Sequence, residues 1–189
     1  MKILTRDLTP ALWEDLEALF GEKGACGGCW CMHWRIEKGE KWENVKGPAA
    51  RSRFRKLVAT GKAHGVLAYL DGEVVGWCAY DRRVDYDRLN RAPSLACDDA
   101  QEVWSLPCFY IKAGFRGQGV ATALLTAAAS LAKKRGAKIL EGYPVKQLKA
   151  GGKIPAAFAW TGTVPLFAKA GFERVSGKAT GKQRMRKRV

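Results

Sequence analysis

Residues 103–145 constrain the fold more than any other part of this chain. The run "EVWSLPCFYI" is rich in β-branched and aromatic residues and reads as a strand. After it, "GVATALLTAAASLAKKRG" places Val120, Leu124, Ala127, Ala128 and Leu131 on one stripe at helical spacing, with basic residues in its last turn. "AKILEGYPV" is a second strand. A long helix between two strands predicts a right-handed crossover, with the strands as parallel neighbours in one sheet. That unit commits the chain to an α/β fold with helices on the faces of a sheet.

The flanking segments fit around this unit. "KILTRDL" reads as a first strand. "TPALWEDLEALFGEKG" carries helix punctuation, with Thr9 as N-cap, Pro10 at the first helical position and Gly21 near the end. Leu12, Leu16, Leu19 and Phe20 share a face. "KGPAARSRFRKLVATGK" predicts a second helix from Pro48 to Gly61. "HGVLAYL", "DG" and "EVVGWCAYDR" form a β-hairpin pattern. Residues 84–99 read as an irregular polar loop, and "KQLKAGGKIPAAF" as a glycine- and proline-bearing one. "TVPLFAKAG" is a short helix, a strand starts at Phe172, and the residues from about Gln183 form a last strand or a basic tail. The whole predicts one domain over residues 1–189, a mixed sheet with helices on both faces.

Composition limits the function. The N-terminus turns charged within a few residues, and no apolar run is long enough to span a bilayer, so a cytoplasmic protein without membrane contact is expected. Thiols stay reduced in that setting, which argues against structural disulfides among the six cysteines. The net charge of +15 is spread over the chain apart from the tail "GKATGKQRMRKRV". A polyanionic small ligand accounts for such a charge better than nucleic acid, because the body has no basic run with interleaved aromatics.

The strongest chemical signal is "RGQGVAT", residues 116–122, between the strand and the long helix. A helix N-terminus offers unpaired N–H groups and partial positive charge, and Gly117 and Gly119 let the backbone approach an anion. It is neither a Rossmann fingerprint, since Thr122 stands at the third glycine position, nor a Walker loop. "RGQGVA" fits the Arg/Gln-x-x-Gly-x-Gly/Ala pattern of the GNAT acyltransferase superfamily, and "VPLFAKAGFERV" resembles that family's closing helix and strand. With the element order, the resemblance covers nearly the whole chain.

The resemblance implies an N-acetyltransferase that moves an acetyl group from acetyl-CoA to a primary amine of a small molecule, peptide or protein, by direct attack in a ternary complex. It places the coenzyme pyrophosphate on Arg116, Gly117, Gln118, Gly119, Val120 and Ala121, with Thr122 as hydroxyl donor. The pantetheine arm runs beside Phe109, Tyr110 and Ile111, and the thioester sits where this strand and the next splay apart. Glu102, which opens the central strand, matches the family's frequent general base. The tyrosine acid of many members is replaced by Phe167, counted here with the coenzyme positions, so Tyr143 or Tyr110 becomes the candidate acid and Cys108 a small core residue. The alternative is a non-catalytic coenzyme A sensor or a nucleic-acid-associated module. The sequence leaves monomer and homodimer both open.

One stretch, "GACGGCWCMHWR", holds Cys26, Cys29, Cys31 and His33 within eight residues. Zinc sites usually take ligands from two separated pairs, so a metal-free segment is expected, with a zinc site and a redox pair as the two alternatives. By the resemblance, this junction borders the acceptor site. Cys29, Trp30, His33 and Trp34 are therefore expected to line it, the two tryptophans sharing a helical face if the segment is helical, with Trp104 nearby; the alternative is that both tryptophans fill core.

Overall fold

The computed structural model describes residues 2–145, 159–175 and 183–189. Seven strands form one sheet in the order β1-β2-β3-β4-β5-β7-β6. They are β1 (Ile3–Asp7), β2 (Gly65–Leu70), β3 (Glu73–Arg82), β4 (Val103–Ile111), β5 (Ile139–Gly142), β6 (Glu173–Arg174) and β7 (Met185–Arg188). Only β4 and β5 pair in parallel, as the crossover requires, and every other neighbour is antiparallel. The C-terminal residues are thus a strand, inserted between β5 and β6.

The helices are α1 (Trp13–Phe20), α2 (Trp42–Val45), α3 (Pro48–Ala59), α4 (Asp87–Asn90), α5 (Val120–Lys134) and α6 (Val164–Lys169). Pro10 opens a 3-10 turn rather than α1 itself, which starts three residues later. The β2–β3 turn has Asp71 at φ 49° and Gly72 at φ 84°, the two positive values that a tight two-residue hairpin needs.

Every residue of β2 is buried, because helices cover both faces of the sheet. Val66, Ala68 and Leu70 pack with α5, while Leu67 and Tyr69 pack with α1 and α3. A third cluster corrects the sequence expectation for residues 84–99. They contain α4 and two 3-10 turns, and bury Tyr86, Leu89 and Leu95 against Trp34 and Tyr143. The segment is short in apolar residues but places each one inward.

A buried ionic network ties this cluster to the sheet. Glu141 on β5 is fully buried and meets Arg83, Arg184 and Arg186. Arg83 also donates to the Tyr143 hydroxyl at 2.8 Å and to the Leu95 carbonyl. Arg186 reaches on to Asp99 with two bonds, which hold that carboxyl below the usual range. The loop expected over residues 146–158 lies outside the described residues.

Candidate functional site

β4 and β5 pair only as far as Leu106 and Gly142, and beyond that point they part. Phe109 lies on β4 just past the separation, and two clefts meet at it. One, of about 440 Å³, is lined by Phe109, Ile111, Arg116, Gly117, Gly119 and the first turn of α5. The other, of about 230 Å³, lies on the α1 side and is mostly aromatic and sulfur-bearing. Residues 159–162 stand between them: Ala159 and Gly162 face the first cleft, Trp160 the second.

The first cleft has the anion loop that the sequence implied. Gly119 caps α5 in the left-handed region at φ 84°, and no side chain caps the helix. The N–H groups of the first turn are therefore open to a ligand, with the positive end of the helix dipole behind them. Arg116 bonds back to the Ile111 carbonyl at 3.0 Å, which ties the loop to the end of β4. Val120, Ala121 and Thr122 line this cleft. Gln118 does not: its amide donates to the Gly114 carbonyl at 2.9 Å. A coenzyme pyrophosphate fits the loop, because a Cβ at Gly117 would meet nothing and one at Gly119 only the edge of Ile3 at 3.9 Å.

Phe167 and Tyr110 are placed differently from expectation. Phe167 is fully buried, its ring edge-on to Phe109 at 5.9 Å, and lies in neither cleft. It fills the space over Gly142 and Gly162, where any Cβ would overlap the ring. It therefore supports Phe109 from below. Tyr110 points to the opposite face from the anion loop, edge-on to Phe20 at 5.9 Å, and lines the second cleft.

The cysteine-rich stretch borders the second cleft. Cys26, Cys29, Cys31 and His33 line it together with Cys108 from β4. All six cysteines are free, and among the described residues no group of three or more His, Cys, Asp or Glu side chains is arranged to hold a metal. Burial pushes the Cys29 thiol up to about 12. Cys108 is pushed up by its hydrogen bond to Cys31 and then by burial. Cys31 also accepts a bond from the Trp77 indole N–H at 2.8 Å. Cys108 is thus a wall of the cleft as well as a packed residue. Among the described residues no carboxylate lines the cleft.

The aromatic wall differs in detail from the sequence expectation. Ala25, Trp30 and Cys31 have φ of 69°, 41° and 56°, so the chain turns sharply and is not helical here. Trp30 and Trp34 consequently do not share a face. Trp30 stacks on Trp13 at 6.1 Å in the core under α1, and Trp34 joins the cluster around Tyr86. Trp104 is also elsewhere, stacked on Tyr80 at 6.3 Å toward the other end of β4. The wall is built instead by Trp42, Trp77 and Trp160, none of which sequence reasoning singled out. His33 sits among Trp34, Trp42 and Trp160, edge-on to each at 5.1 to 5.3 Å.

The two remaining candidates are placed away from the meeting point. Glu102 is exposed on a 3-10 turn before β4 and lines neither cleft. Seven residues of extended strand, roughly 23 Å, separate it from Phe109. Tyr143 is completely buried, bonded to Arg83 and to Ser105 at 2.6 Å. Burial drives its phenol well above the usual range, so it holds its proton and belongs to the ionic network.

Comparison with known proteins agrees with this geometry. No curated protein matches the chain. Among solved structures, a phosphinothricin acetyltransferase of the GNAT superfamily from Sinorhizobium meliloti, in complex with AcCoA, has a TM-score of 0.59 at 18% identity, over 100% of this chain and 89% of that one. An N-acetyltransferase from Staphylococcus aureus Mu50 has a TM-score of 0.58 at 13% identity, over 100% and 99%. A ribosomal-protein-alanine N-acetyltransferase from Brucella melitensis gives 0.55 at 19%, over 98% and 99%. At these identities the likeness is one of fold. The family model for the Acetyltransferase (GNAT) family matches residues 30–145, more than half of the sequence, with the anion loop, β4, α5 and β5 all inside the match. The chain belongs to the GNAT acetyltransferase family.

Proposed function

We propose that the chain transfers an acetyl group from acetyl-CoA to the primary amine of an apolar or aromatic acceptor, a small molecule or the end of a peptide. The meeting of an anion loop cleft and an aromatic cleft at Phe109 carries this reading. The donor enters from the α5 side, its pyrophosphate on the first turn of the helix. The acceptor enters among Trp42, Trp77, Trp160 and Tyr110, where an apolar body or a cationic head is held by ring faces.

Attack requires a neutral amine. His33 is the imidazole on the acceptor cleft, and it takes the role for which Glu102 is too distant. The amine nitrogen bonds to the thioester carbonyl carbon, the carbon–sulfur bond breaks, and the amine proton passes to His33 directly or through water. The backbone N–H of Phe109 faces the gap between β4 and β5 and is the donor for the oxygen as charge develops. In the present conformation it donates to the Trp160 carbonyl at 2.6 Å, so residues 159–162 must shift when the donor binds. The departing thiolate has ordinary thiol acidity and needs little help. Tyr110 is the phenol on the cleft that can return a proton to it. A reducing, cytoplasmic setting suits a cleft walled by four free thiols.

The test is incubation with acetyl-CoA and a panel of aromatic, aliphatic and peptide amines, with products read by mass. An N-acetylated aromatic or apolar amine formed catalytically supports the reading. Donor binding with no acetylated product from any amine contradicts it and leaves a coenzyme-binding module.

A further inference from the structure

A third cleft, larger than both others at about 910 Å³, opens at the far end of β4 between α3, residues 32–37 and the end of β3. Its floor is an ionic cluster drawn from three parts of the chain. Asp81 on β3 is 3% exposed and pairs with the buried Arg35. It also accepts the backbone N–H of His64 at 3.0 Å and contacts the His64 Nδ1 at 2.5 Å.

The Arg35–Asp81 pair has a structural use, since it fastens the strained cysteine-rich segment to β3. Two features go beyond that use. With Nδ1 turned into Asp81, the His64 Nε2 is left on the opposite side of the ring, and His64 is one of the residues that line the cleft. The Arg35 Nε is buried without a hydrogen-bond partner. Around them, five cationic side chains face three carboxylates: Asp81, already paired, and Glu37 and Asp85. Arg53 is held by Glu40, and Arg82 leans on Gln101 at 3.4 Å. Lys56 and Lys62 carry their charge to the rim. Trp104, half-buried, gives one wall an indole ring, backed by Tyr80.

We infer that this cleft is a second ligand site, separate from the acyl-transfer clefts, for a phosphate attached to a planar ring, as in a nucleotide. The ring lies against Trp104, and the phosphate takes charge-assisted bonds from Lys56, Lys62 and the Nε2 side of His64. A point-charge lysine pair with an imidazole suits a tetrahedral dianion, and the indole supplies the stacking that a bare ion does not use. The same chemistry is offered by a free nucleotide and by a nucleotide within a single strand. The inference does not rest on the acyl-transfer reading.

The experiment is calorimetry on the full chain without coenzyme A, repeated on Gly119→Val so that binding at the loop of residues 116–122 is told apart. AMP, adenosine, inorganic phosphate and a short oligo-dT strand are titrated separately. AMP is expected to bind once per chain and more tightly than phosphate or adenosine. Substituting both lysines, Lys56→Ala with Lys62→Ala, is expected to weaken it roughly tenfold or more. Trp104→Ala is expected to weaken it as well, while Trp104→Phe retains most of the affinity. Oligo-dT binding tighter than AMP, and sensitive to the same substitutions, assigns the ligand to nucleic acid. The inference is overturned if AMP gives no binding, if phosphate alone binds as tightly, or if the lysine and Trp104 variants, folded by circular dichroism, bind AMP as the parent does.

Discussion

Replacing Gly119 separates the stability of the anion loop from its binding role. Gly119 stands at φ 84° as the cap of α5. An added Cβ meets only the Ile3 Cδ1, at an ordinary 3.9 Å, so alanine brings no clash into the free chain. The cost is the left-handed backbone, about 1–2 kcal/mol. The smaller freedom of the unfolded chain offsets about 0.4–1 kcal/mol of it. A net loss of about 1 kcal/mol lowers the melting temperature of a chain this size by roughly 2–4 °C. Binding suffers more, because Gly119 lines the cleft and its Cβ stands beside the first-turn N–H groups. Losing two charge-assisted bonds there, at about 1.5 kcal/mol each, weakens acetyl-CoA roughly 100-fold. Gly119→Ala is therefore expected to melt only slightly lower yet bind far more weakly, and Gly119→Val to show both effects more strongly. Thermal melts without ligand and calorimetry with acetyl-CoA check the two numbers. A folded Gly119→Val that binds acetyl-CoA as tightly as the parent refutes the placement of the pyrophosphate on α5.

Other perturbations test other parts of the account. His33→Gln is expected to lower kcat roughly 100-fold near neutral pH and flatten the pH profile, with acetyl-CoA affinity unchanged; an unaltered profile removes His33 as base. Glu102→Gln is expected to leave kcat/KM unchanged, and a large loss would return the base to β4. Glu141→Gln strands three arginines in and around the buried network and is expected to cost about 3–5 kcal/mol in denaturant unfolding. Cys26, exposed, is expected to alkylate first by peptide mass mapping, with Cys29 slow through pH 9 because its proton is held to about 12. The folded chain keeps that proton where an unfolded thiol, at 9.0, releases it. Stability from this group is therefore full below that value and is lost as pH rises toward 12, which melts at stepped alkaline pH can read.

The parts of the molecule legible in sequence are those governed by local periodicity and turn chemistry. The stripe along α5 and the Asp71–Gly72 hairpin each follow from a few neighbouring residues, and each is found where expected. The acceptor cleft is different, because it is assembled from residues remote in sequence. Trp42, Trp77, Cys108 and Trp160 converge only after α1, β3 and β4 have packed. Trp30 and Trp34 share helical spacing, but positive φ at Trp30 and Cys31 sends them into different clusters. Nothing local announces that turn, since neither residue is glycine. Residues 84–99 look like a loop because burial there depends on three apolar side chains and on Arg83 reaching Glu141 across the chain. Glu102 illustrates the same limit: it stands on the 3-10 turn just before β4, whereas the two clefts meet toward the strand's other end.

The central claim is that donor and acceptor meet at Phe109 between the two clefts. A crystal structure of the chain with coenzyme A tests it directly. The account predicts the pyrophosphate on the first turn of α5, the thiol sulfur beside the Phe109 backbone N–H, and that N–H released from the Trp160 carbonyl. A bound coenzyme whose sulfur lies away from Phe109, with the Phe109–Trp160 bond intact, contradicts it.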